Sequence, residues 1–136
     1  MSARGKARSR ALDILFEAEQ RGAAPFDVIQ RRLEKTEQQI NPYTEEIVAG
    51  VVSKQAQIDE ILSTYARGWT LDRMPAVDRI ILRIGTWELL YNDDVPDGVA
   101  VSEAVALART MSTDDSPNFV NGLLGTLQTL KPTLLA

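Results

Sequence analysis

Apolar residues return every three to four positions along almost the whole chain, and no segment alternates apolar and polar residues between turn signals. That periodicity points to an all-α fold and argues against a sheet. At 136 residues the chain has the length of one ordinary domain, enough to bury a core without disulfides or metals. Ala7, Ala11, Ile14, Leu15 and Ala18 share a face, which predicts a first helix over about 4–20, ended by Gly22. Pro25 suits the first turn of a second helix carrying Phe26, Ile29 and Leu33, after which 35–39 reads as a polar loop or fraying end. Asn41-Pro42 restarts the pattern, and the polar stretch 53–57 predicts either two helices or one kinked helix over 43–66, closed by Gly68.

Residues 70–75 read as a short helical turn, and the most hydrophobic element follows it, with Val77, Ile80, Ile81, Ile84, Trp87, Leu90 and Tyr91. After the turn at 92–98, Ser102 is expected to cap a helix, and Ser116-Pro117 to start the last one, stopped by Pro132. Gly122, inside that last pattern, predicts close approach of a neighbouring helix. Arg79 and Arg83, on the flank of the most hydrophobic helix, are expected to pair with acids such as Asp78 or Glu88.

Composition narrows function as much as fold. Cysteine and histidine are both absent, which excludes thiol catalysis, iron–sulfur ligation and Ser-His triads and removes most zinc chemistry. No run reaches the length of a membrane helix, and the basic start leads into no uninterrupted apolar stretch of a secretory signal, so a cytoplasmic protein is expected. The net charge is −4, but residues 1–12 carry Arg4, Lys6, Arg8 and Arg10 with no acid. That end is +4 and the rest −8, since eleven cations there face nineteen acids. A basic end on an acidic body can hold a polyanion only locally, and it leaves acidic surface for a basic partner. On a helix the four cations form a collar, not a stripe. If all four met phosphates, the salt slope for single-stranded RNA would be only about −3, too shallow for tight binding alone.

Phe16 lies well off the centre of the alanine-rich face, where it either completes the core or stacks a base or docks a protein. Asp93-Asp94 and Asp114-Asp115 sit in turns just before helices, which favours helix-dipole chemistry over a metal, and neither accompanies a nucleophile or a phosphate-binding glycine loop. Asp72 and Asp78 are candidates for a surface facing a basic partner.

Several stretches combine into a specific pattern: ARGKARSRALDILFEAE at the start, NPYTEEIVAGVVSKQAQID in the middle, then an LRI-x-x-x-EL helix, a DVP turn, an EA-x-x-LA helix and DSxxFVNGLL. Together they resemble the NusB family of bacterial transcription antitermination factors nearly end to end. The wording GWTLDRMPAVDR and the DDSP segment look most like actinobacterial members. The resemblance implies an all-α fold of about seven helices in two packed helical subdomains, about 1–67 and about 68–136, within one RNA-binding domain over 1–136. It implies binding of boxA RNA in ribosomal RNA transcripts together with NusE, a small-subunit ribosomal protein. It implies indirect partnership with other Nus factors and RNA polymerase, with no catalysis, cofactor or metal. A homodimer is the other assembly it implies. Carried onto this sequence, the RNA-binding positions are Arg4, Lys6, Arg8, Arg10, Phe16, Asp115 and Phe119, and the partner-facing ones Asp72, Asp78 and Phe16. Gly5 stands where many relatives have a further arginine. Two alternatives from other classes remain: a non-catalytic protein–protein adaptor with incidental RNA affinity, and an RNA-binding accessory of an enzyme, since NusB-like domains also occur fused to RNA methyltransferases. The chain contains no glycine-rich strand–loop–helix for such a cofactor.

Overall fold

A computed structural model describes residues 2–35 and 39–136. Six α-helices and one 3-10 turn occur among them, and no strand: α1 (Ala3–Arg21), α2 (Pro25–Lys35), α3 (Pro42–Tyr65), the 3-10 turn Leu71–Arg73, α4 (Ala76–Tyr91), α5 (Asp97–Met111) and α6 (Ser116–Leu134). The expected count of about seven is therefore one too many for α-helices. The polar loop expected at 35–39 falls partly on 36–38, outside the described residues.

Capping explains the boundaries. The Ser2 hydroxyl accepts from the Gly5 amide to start α1, and Gly22 ends it in the left-handed region at φ 64°, returning its amide to Ala18 and Glu19 carbonyls. Asn41 accepts from the Tyr43 amide, and Pro42 fills the first turn of α3. α3 runs unbroken through 53–57: that turn is exposed or half-buried all round, while Val51 and Ile58, two turns apart on the core face, stay buried.

α4 is the axis of the molecule. It packs against α1, α3, α5 and α6, and everything from Ile80 to Leu90 except Arg83 is buried. Two close approaches need glycine. A Cβ on Gly50 of α3 would sit 2.1 Å from the Trp87 indole, and one on Gly85 of α4 would meet Leu124 at 2.7 Å and Ala104 at 3.1 Å. Gly122, in contrast, has nothing within 4 Å of where its Cβ would be, so the helix approach expected there is absent.

Three further expectations change. Ser102 is not a cap: α5 already begins at Asp97, and the Ser102 hydroxyl donates back to the Val99 carbonyl. Pro132 does not stop α6, which continues to Leu134: in the exposed last turn its missing N–H forfeits one hydrogen bond, to a carbonyl that water can reach. Arg79 pairs with Glu19 and donates to the Leu71 and Met74 carbonyls, and Arg83 grips Asp59 at 2.8 Å. Both arginines thus reach across to other elements and not to Asp78 or Glu88.

Candidate nucleic-acid and partner interface

α1 runs antiparallel to α4, tied at one end by Arg8 to Glu88 and at the other by Glu19 to Arg79. The four cations of the chain start therefore have different fates. Arg8 points inward: it is 3% exposed, and its Nε donates to both Glu88 carboxylate oxygens at 2.8 and 2.9 Å. Tyr43 from α3 donates its hydroxyl to the same carboxylate and accepts from Asn92 Nδ2 at 3.1 Å. Burial alone would lower the Arg8 pKa, but the hydrogen bond and charge of Glu88 outweigh it and hold the guanidinium above its ordinary value. Burial first, then the bond to Glu88, pushes the Tyr43 phenol well up, so it stays a neutral donor.

The other three cations are exposed. Lys6 and Arg10, one turn apart, border a depression of about 340 Å³ closed by Gln39, Asn41 and the start of α3, with no carboxylate among its described lining residues. Arg4 lies over the Tyr43 ring, its Cζ 4.5 Å from the centroid. The basic end is thus ordered, with its root in the core and three charges outward. Phe16, farther along α1, is 37% exposed.

The acidic and aromatic candidates gather at the opposite end of α4. Asp78 is ten residues before Glu88, about 15 Å along the helix axis. Asp78 is 5% exposed and accepts from the Ser112 and Ser116 hydroxyls at 2.5 and 2.9 Å, so it anchors the start of α6 and offers no open surface. Asp72 is exposed in the 3-10 turn, and a hydrogen bond from Thr70 heads the causes that hold its carboxyl below the usual range. Asp115 is exposed at the N-cap of α6 but makes no side-chain capping bond. Phe119 is half-buried and tilts against exposed Trp69, ring centroids 5.9 Å apart. No cluster of His, Cys, Asp or Glu among the described residues could hold a metal, and no helix among them is long and apolar enough to cross a membrane.

Sequence reasoning missed Tyr43, the role of Glu88 as the partner of Arg8, and Trp69. The first two are buried partners whose only signal was a polar residue on an otherwise apolar face. Trp69 follows Gly68, whose φ of 76° turns the chain after α3; an isolated tryptophan between helices was the available clue.

The NusB family model matches residues 5–129. This chain belongs to the NusB family. The transcription antitermination protein NusB of Pseudarthrobacter chlorophenolicus is 77% identical over 136 residues, covering 100% of both chains. That of Kineococcus radiotolerans is 60% identical over the same span, again covering 100% of both. Among solved structures, T. maritima NusB superposes with a TM-score of 0.83 at 29% identity, covering 95% of this chain and 92% of that one. A crystal structure of the antitermination factors NusB and NusE in complex with double-stranded RNA gives 0.81 at 25% identity, covering 93% of this chain and 96% of that one.

Proposed function

We propose that this NusB-family protein is a transcription antitermination factor that binds boxA RNA of ribosomal RNA transcripts jointly with NusE and helps RNA polymerase read through terminators. It acts without catalysis, in the cytoplasm, as one domain of two helical groups, about 1–67 and about 68–136. The observation that carries the reading is the rooted basic end: Arg8 is locked to Glu88 in the core, and Arg4, Lys6 and Arg10 project from the same helix. A disordered basic tail would pay its ordering entropy on binding RNA, whereas an ordered helix does not.

Charge decides why a partner is needed. Outside residues 1–12 the chain is −8, which repels a polyanion. A basic ribosomal protein docked on the acidic side, with Asp72 and Asp115 exposed there and Phe16, Trp69 and Phe119 as apolar anchors, neutralises that repulsion. RNA affinity and partner affinity are then coupled. In this reading Lys6 and Arg10 take phosphates, Arg4 contacts RNA through its plane, and Arg8 and Asp78 act through the fold. The test is charge reversal: Lys6→Glu with Arg10→Glu should abolish boxA binding measured by fluorescence anisotropy while leaving NusE binding intact. Unchanged RNA binding would mean an adaptor whose RNA affinity is incidental.

A further inference from the structure

The basic end contains one group that a phosphate site would avoid. Glu103 of α5 stands beside Arg4 and Arg8, lining a depression of about 380 Å³ with Val95, Pro96 and Val99. Its closest cation is Arg8 Nη1 at 3.7 Å, too long for a hydrogen bond, and Arg8 is already committed to Glu88. Among the described residues nothing donates a hydrogen bond to the Glu103 carboxylate, which is about one-third exposed. A carboxylate with free acceptor capacity repels phosphate, so the RNA backbone does not fit here. A base edge rich in N–H donors does.

The rest of the depression has the chemistry a base needs. The Arg4 guanidinium is backed by the Tyr43 ring, and that ring is fixed by its hydroxyl bonds to Glu88 and Asn92. A planar cation is therefore supported on a fixed ring and, being exposed, is available for stacking. Val95, Pro96 and Val99 supply apolar walls, and Val99 is 40% exposed. Single-stranded RNA is read by such means: bases stack on aromatic or guanidinium planes and hydrogen-bond along their Watson–Crick edges. Lys6 and Arg10 line a separate depression across α1, with no carboxylate among its described lining residues, and supply cations for phosphates.

We propose that Arg4, Tyr43 and Glu103 form a nucleobase subsite selective for guanine, with Tyr43 a positioning residue that presents Arg4. Guanine offers two adjacent donors, N1–H and the 2-amino group, to the two oxygens of one carboxylate. Cytosine and adenine place an acceptor beside their amino group, and uracil flanks its one N–H with carbonyls. This rests on the reading that the start of α1 binds RNA, and it adds which base is read there and by which groups.

The experiment compares boxA RNA with the same RNA carrying inosine for guanosine, which removes the 2-amino donor, binding each to the protein with NusE. Wild type should bind the inosine RNA about 5- to 10-fold more weakly, the scale of one lost contact in a paired readout. Glu103→Ala, which removes both acceptors, should bind both RNAs equally and no more tightly than wild type binds the inosine RNA. Arg4→Lys, which keeps the charge and loses the plane, should weaken binding without changing the salt slope, and Tyr43→Phe, which keeps the ring, should restore most of what Tyr43→Leu loses. Equal wild-type affinity for the two RNAs, or persistent discrimination in Glu103→Ala, overturns the subsite. Wild type that fails to prefer boxA over scrambled RNA overturns the functional reading itself, which is a different result.

Discussion

Arg8 lies within the basic start yet is argued to hold the fold together, and replacing it separates that role from RNA contact. Arg8→Met removes the cation from a pair whose side chains are 3% and 1% exposed, leaving the Glu88 carboxylate buried with Tyr43 as its donor. Breaking a buried ion pair by deleting one partner costs about 3–5 kcal/mol. That is a large part of the roughly 5–15 kcal/mol that holds a domain folded. With an unfolding entropy of about 2.1 cal/mol/K per residue, the loss corresponds to a melting temperature about 10–18 °C lower. Arg8→Met with Glu88→Leu removes both charges and keeps apolar volume, so it should melt above either single variant. Calorimetry reads the melting temperatures, and anisotropy below the transition reads RNA binding. If Arg8→Met melts within about 3 °C of wild type while RNA binding collapses, Arg8 is a contact residue and the assignment is wrong.

Three further outcomes follow from other parts of the structure. Gly50→Ala drives a methyl to 2.1 Å from the Trp87 indole and should cost about 1–3 kcal/mol despite the better helix propensity, measured by urea unfolding. Asp78→Asn replaces an acceptor of two serine hydroxyl bonds with a group that must turn a donor toward one of them, so hydrogen exchange at the first turn of α6 should speed up, while a surface role would leave it unchanged. Tyr43 has a folded pKa raised above the unfolded value near 10, so its contribution is complete below about pH 10 and is lost as pH rises toward the folded value. Tyr43→Phe should therefore flatten the decline in melting temperature above pH 10, and an unchanged slope would contradict the buried hydrogen bond to Glu88.

The helices were legible because their boundary chemistry is local. Gly22, Asn41-Pro42 and Pro117 all act within a turn of where they stand. What local pattern hides is which residue lies across from which. Gly122 looked like a contact point, but Gly50 and Gly85 are the ones that admit a neighbour, since only the packing of α3 and α6 on α4 decides it. The same holds at the candidate site. The charge of residues 1–12 was plain, yet Arg8 is drawn inward by Glu88, eighty positions away, and Asp78 by serines thirty-four and thirty-eight positions away. Charge alone cannot separate a cation that meets RNA from one that meets a buried carboxylate. Trp69 escaped because a residue between helices has no periodicity to betray its face.

The most direct test of the central claim is a titration of labelled boxA RNA with this protein, with and without NusE, at two salt concentrations and against a scrambled RNA. Sequence-dependent binding that tightens with NusE and weakens with salt is expected, since a local basic patch on an acidic body needs the partner to overcome long-range repulsion. Equal affinity for boxA and scrambled RNA, unchanged by NusE, would contradict it and leave an ordered basic helix on a protein–protein adaptor.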